Sequence, residues 1–174
     1  LIGLQILGYL IQMYLEDNNI HFKDSNDKYN KVKKEFDKYH TKRGNIRVHL
    51  ITTVLGFISL IALIKKFNEY NGFDKSSSEV LILFILTLFH CLYKYTIPDH
   101  QKFINTIVLV LAYFIPTTFP NLRYDLLLVL SVVIQELSHY IFNEKTYMST
   151  YNNPKKLLLH NLWLVPLVLN KCIG

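Results

Sequence analysis

Apolar residues in this chain are gathered into blocks rather than spread at alternating spacing. Val48 to Ile64 carries no charge, and its polar members are His49, Thr52, Thr53 and Ser59. Val80 to Tyr93 is a second uncharged run, with Thr87 and His90 as its polar members. Ile104 to Pro116 is a third and ends in the breaker cluster Pro116-Thr117-Thr118-Phe119-Pro120. Leu126 to Phe142 is interrupted by Gln135, Glu136, Ser138 and His139, and Leu157 to Leu169 holds His160, Asn161 and Pro166. Such runs are apolar around the whole helix, which marks a deeply buried helix or a membrane span. A bilayer core needs about 20 helical residues, within a range of about 17 to 25. The first and fourth runs approach that alone, whereas the others need flanking Tyr, Trp and Lys residues. The in-out alternation of a membrane β-barrel is absent. The pattern predicts an all-α, polytopic transmembrane bundle of about four to five spans.

Leu1 to Leu15 is also apolar, with Gln5 and Gln12 as its polar members, and reads as a packed or interfacial helix. It has neither the basic start nor the cleavage site of a signal peptide. The chain begins at Leu1 rather than Met, which leaves a processed presequence and an incomplete sequence both open. From Asp27 to Tyr39, the residues Tyr29, Val32, Phe36 and Tyr39 recur at spacings of three and four, with lysines on the other face. This predicts an amphipathic helix before the first span, lying on the membrane or on the bundle. Gly44 is the expected helix stop. The chain thus divides into an apolar helix (1–15), a basic amphipathic and linking segment (16–47) and a membrane-embedded bundle (48–170).

Composition sharpens this. Of the 174 residues 51% are apolar and 18% charged, against about 25% charged in an average soluble domain. That excludes disorder and a charge-laced coiled coil, and two cysteines exclude a disulfide scaffold or a Cys-rich zinc module. Threading the five runs in order places 14 of the 19 Lys and Arg residues on the side that precedes the first span. The positive-inside rule assigns that side to the cytosol, or to the matrix of a mitochondrion. The net charge of +6 therefore reflects topology and contact with anionic lipid, and no nucleic-acid partner is expected.

The same threading puts all seven histidines on the basic side. Imidazole suits iron, zinc and copper, and ionisable groups within spans are functional candidates. His21, His90 and His100 read as histidines bonded to carbonyls at helix ends or in links. Glu136 and His139 stand three apart on one helix face, where the carboxylate can share a metal or hold the ring. There is no Walker loop, GxSxG elbow, HExxH or clustered His-box motif, and both thiols lie in apolar surroundings unsuited to a nucleophile.

Tyr39-His40, Asn45 and His49 form a Y-H-x4-N-x3-H pattern leading straight into a span. Downstream come the Cys91-Leu92-Tyr93 ending of the second run, Gln135-x3-His139-x2-Phe142, and Leu164-Val165-Pro166. Together these resemble the small multi-pass family that contains the yeast endoplasmic-reticulum 2-hydroxy fatty acid dioxygenase. The resemblance covers about residues 29 to 170. It implies iron(II)-dependent α-oxidation, in which dioxygen shortens a 2-hydroxy fatty acid by one carbon, and it implies residence in the endoplasmic reticulum. The mitochondrial inner membrane is the alternative.

By position, the resemblance makes His40, His49, His139 and His160 the metal ligands. Gln135 and Glu136 would orient them, and Asn45 or Tyr39 would contact substrate or a bound water. Ser138 stands where the family usually has Gly, Asn143 displaces the acidic residue after Phe142 to Glu144, and Thr146-Tyr147-Met148 replaces a proline-containing segment. His40 and His49 are nine residues apart and out of phase on a straight helix, so their convergence requires a bend, expected at Gly44. The competing reading is a non-catalytic small subunit of a larger membrane complex.

Overall fold

The structure is a computed structural model that describes residues 23–146 and 154–173, with backbone alone at 23–26, 28, 95, 96, 100, 154–162 and 173. The apolar segment expected over residues 1–15 and His21 lie outside the described residues. Every regular element among the described residues is a helix: α1 (Lys23–Tyr39), α2 (Arg43–Tyr70), α3 (Lys75–Thr96), α4 (Asp99–Thr118), α5 (Tyr124–Ile141) and α6 (Pro154–Ile173). Each apolar run lies within one helix or overruns it by a residue, because flanking polar residues carry the helices past the runs. The stretches Arg43–Tyr70 and Tyr124–Ile141, together with Lys75–Lys94 of α3, are long and apolar enough to cross a membrane. These lengths and compositions mark a membrane protein.

Local chemistry sets the boundaries. The α2 helix ends at Asn71-Gly72, where Gly72 takes a φ of 87° that side-chain-bearing residues rarely adopt. Asp74 then caps α3, accepting from the Ser77 backbone N–H at 2.7 Å. Pro98 precedes α4, and Pro154 begins α6, where its missing N–H costs nothing.

The 28-residue α2 is the central element, packed against α3, α4, α5 and α6. The ends of the helices are fixed by contacts across the bundle. Lys65 pairs with Glu79 at the start of α3 (3.3 Å), and Lys66 reaches the Leu122 carbonyl before α5 (3.3 Å). At the opposite end, Glu144 after α5 meets Thr41 and Lys42 before α2. The start of α2 and the end of α5 therefore share one end of the bundle. The apolar core joins Ile58, Ile61 and Ala62 of α2 to Ile82 and Leu86 of α3, Leu109 and Ala112 of α4, and Trp163, Leu167 and Val168 of α6.

The α1 helix buries Tyr29, Val32 and Phe36 in that core and exposes Asn30, Lys31, Lys34 and Lys38. It is tied to α6 by Asp37–Lys171 (3.0 Å) and by Asn170 donating to the Tyr29 hydroxyl (3.3 Å). The α5 helix packs chiefly on α2 and leaves Leu126, Val129, Val132, Val133 and Leu137 on the outside, the apolar face expected toward lipid.

The bend between His40 and His49 is not where glycine was expected. The non-helical residues are His40, Thr41 and Lys42, and Gly44 already belongs to the first turn of α2. Gly44 is needed for a different reason, because the Phe142 ring lies where its Cβ would stand.

Candidate metal centre

His40, His49 and His139 converge at the end of the bundle where α1 gives way to α2 and α5 ends. All three are about 2% exposed, and each offers a ring nitrogen within 4.8 Å of the others. The ring centroids are 4.4 Å apart for His40–His49, 5.0 Å for His40–His139 and 4.8 Å for His49–His139.

Each ring reaches the centre by a readable local rule. His40 continues the buried stripe of Val32 and Phe36 by one more step of four, although it lies just past the last helical residue. Its Nδ1–H donates to the Phe36 carbonyl at 2.9 Å, one of the orphan acceptors at a helix C-terminus, and its ring stacks on Phe36 at 3.8 Å. That bond leaves Nε2 with its lone pair facing the centre. On α2, Asn45 and His49 share a face four residues apart. On α5, Gln135, Ser138 and His139 form the matching face, which packing against α2 brings opposite.

The surrounding polar groups are closely matched. Gln135 Nε2 lies 3.0 Å from His49 Nδ1. Asn45 donates through Nδ2 to Glu144 Oε2, lies 3.4 Å from His139 Nδ1, and accepts at Oδ1 from the Ser138 hydroxyl. Glu144 Oε1 accepts from the Thr41 hydroxyl (2.6 Å), the Lys42 N–H (2.7 Å) and the Thr41 N–H. One carboxylate thus caps the start of α2, which has no side-chain cap of its own, and holds Asn45 against α5. Burial alone would raise the Glu144 carboxyl, but the bonds from Thr41, Asn45 and Lys42 outweigh it and hold the group below the usual carboxylate range.

This donor set fits a metal ion. His40 Nε2 and His49 Nδ1 are 3.2 Å apart, between the separations of about 3.0 and 3.4 Å set by bonds near 2.1 Å in octahedral and tetrahedral sites. Lone pairs facing each other at that range repel unless a proton or a cation lies between them. A third imidazole in reach suits a cation, and for His49 Nδ1 to take one the Gln135 amide, 3.0 Å from that same nitrogen, has to turn aside. Burial pushes the His40 ring down to about 4, against the pull of the Phe36 carbonyl. The ring is therefore neutral near pH 7, the form that binds metal.

Several expected residues take other places. Glu136 lies to the side, where its carboxylate accepts from the Thr146 hydroxyl at 2.8 Å, and it is not one of the clustered ligands. Tyr39 is the half-buried last residue of α1. His160 lies in α6, but its side chain is outside the described residues, as is that of His100. His90 sits 3.5 Å from the Thr106 hydroxyl rather than on a carbonyl. In the sequence Ser138 stands out only as a departure from a family pattern. Its hydroxyl touches Asn45 Oδ1 and the Gln135 carbonyl (2.7 Å), and its place one turn from Gln135 on the inner face was the available signal. Phe36, too, stands in the sequence only as part of the apolar face of the amphipathic helix.

Two outcomes follow from this geometry. Glu144→Gln removes the charge that holds Thr41, Lys42 and Asn45, and is expected to weaken metal binding about 10-fold while the helices remain; metal titration alongside circular dichroism measures both. In metal-free protein, His40 has a folded pKa of about 4 against 6.5 when unfolded, so the unfolded chain takes up its proton first. Its contribution is level above pH 6.5 and is lost progressively as pH falls toward 4. Glu144, lowered in the fold, contributes above the ordinary carboxylate value and loses that contribution below it. Thermal unfolding read from Trp163, the single tryptophan, should fall across that window, with a smaller slope in His40→Gln.

No family model, curated protein or solved structure matches the chain.

Proposed function

We propose that the protein is a membrane-embedded, iron(II)-dependent dioxygenase that removes one carbon from 2-hydroxy long-chain fatty acids. The observation that carries this reading is the convergence of three buried imidazoles, from segments up to 99 residues apart in sequence, at the polar end of an apolar bundle. Neutral imidazole with open positions suits ferrous iron, which when bound supplies activation of dioxygen. The reaction balances without an external reductant: RCH(OH)COOH and O2 give RCOOH, CO2 and H2O. A site that needs only substrate and dioxygen needs no nucleotide or flavin pocket.

In this reading the chain's own residues bind, orient and exclude water. Phe36 and its carbonyl fix the His40 ring, Gln135 lies against His49, and Asn45, set by Ser138 and Glu144, steadies the His139 side. Exposed Lys42, Arg43 and Arg47 at the same end offer positive charge to a carboxylate. The acyl chain lies in the apolar region, with α4 and α6 joining α2, α3 and α5 in the membrane and α1 as an amphipathic helix at its surface. His160 is the expected fourth ligand, and the endoplasmic reticulum the expected membrane.

The test is product analysis. Protein purified in micelles, loaded with iron(II) and given 2-hydroxypalmitate, should consume one O2 per substrate and release the 15-carbon acid. Iron-loaded, folded protein that consumes no oxygen above the protein-free control would sink the proposal.

A further inference from the structure

A second polar site lies between α3 and α4, assembled without the three histidines. The hairpin that joins these helices turns at Ile97-Pro98, so the last turns of α3 and the first turns of α4 face one another. There His90, Tyr93 and Lys94 of α3 and Lys102, Asn105 and Thr106 of α4 line a cavity of about 40 Å³, room for a few waters or the oxygens of one headgroup. The antiparallel order of the helices places it at the same end of the bundle as the candidate metal centre.

Two features ask for a ligand. Lys94 and Lys102 bring two positive charges to the mouth, and Asp99, which pairs with Lys102, is 94% exposed and readily exchanged. Asn105 is 1% exposed, and its side-chain N–H donates to the Gln101 carbonyl at 2.9 Å, but its Oδ1 has no hydrogen-bond partner among the described residues. A buried acceptor of this kind calls for an O–H or N–H from a guest. Beside the cavity, Phe103, Ile107, Val110 and Phe114 form an exposed apolar stripe along α4 at helical spacing. Such a stripe suits an acyl chain running away from the headgroup.

We infer that the α3–α4 cavity binds an acyl lipid whose headgroup is anionic and carries a hydroxyl. The phosphate lies between Lys94 and Lys102, a headgroup hydroxyl donates to Asn105 Oδ1, and the chain follows the α4 stripe. Basic pockets between membrane helices hold lipid phosphates by this combination of charge and tail contact. The site stands whether or not the histidine centre holds iron.

The experiment uses the full chain in neutral detergent micelles, titrated with lipids of identical chains and read by native mass spectrometry. Phosphatidylglycerol is expected to bind at one equivalent, at least about 10-fold tighter than phosphatidylcholine and several-fold tighter than phosphatidylmethanol, which has the charge without the hydroxyls. Lys94→Gln with Lys102→Gln should bring phosphatidylglycerol down to the phosphatidylcholine level. The same pair changed to Arg should retain binding, as should Lys31→Gln with Lys34→Gln on the exposed face of α1. Unchanged binding in the folded Lys94/Lys102 Gln variant, or an equal loss in the α1 variant, overturns the site. Equal binding of phosphatidylmethanol overturns the role given to Asn105, and displacement by inorganic phosphate at matched concentration overturns the assignment to a lipid.

Discussion

Replacing His49 by alanine is expected to leave the bundle folded and the metal centre empty. Iron(II) retained after dialysis should fall about 10-fold or more from about one equivalent per chain, because removing one clustered imidazole weakens the hold on a labile divalent ion. The fold should survive, since α2 is held along its length by Ile58, Ile61 and Ala62 in the main core, well beyond the first turns that carry His49. His139→Ala should give the same result from the opposite helix. His40→Ala should do so with an added loss of stability, because it also removes the stacked contact with Phe36 and the bond to its carbonyl. Gln135→Ala should be milder, because all three clustered rings remain. Metal analysis and circular dichroism on each variant separate these outcomes. Stoichiometric iron in His49→Ala would show that the three rings are not the ligands.

The second large effect concerns a residue with no chemistry of its own. Alanine in place of glycine inside a helix ordinarily stabilises by about 1 kcal/mol, yet Gly44→Ala is expected to destabilise. Its methyl would occupy the space of the Phe142 ring at the point where α2 meets the end of α5. A stiff ring at a packed crossing has few ways to yield, and overpacking of this kind costs about 1 to 3 kcal/mol. The strain falls on the crossing that sets His49 against Gln135 and Asn45 against Ser138, so metal binding should weaken along with stability. Phe142→Ala costs stability by itself but frees the space, so the double variant should be more stable than the two single losses predict. A double-mutant cycle on unfolding in detergent measures this coupling. Additive losses would mean that Gly44 and Phe142 do not meet.

These outcomes separate what was legible in the sequence from what was not. The helices were legible, because apolar runs and three-four spacing are local properties. So were His40, His49 and His139 as residues to watch, together with Asn45, Gln135 and Glu144 beside them. The bend was misplaced because glycine signals both helix ends and close packing, and only the neighbour across the crossing tells the two apart. Glu136 looked closer to His139 than Glu144 did, since spacing along a helix shows which residues share a face. It does not show that a carboxylate five residues further on folds back to cap another helix. Ser138 was passed over because a hydroxyl within a span gains meaning only from its partner, here Asn45, 93 residues away.

By itself, then, the sequence determined the helical class and the extent of each apolar helix. Each follows from residues near one another in the chain. The tertiary structure decided which histidines meet, which carboxylate supports them, and how closely α2 approaches α5. Those depend on the register of two helices separated by two others in the chain, and that register is set by residues such as Gly44 and Phe142 fitting against one another.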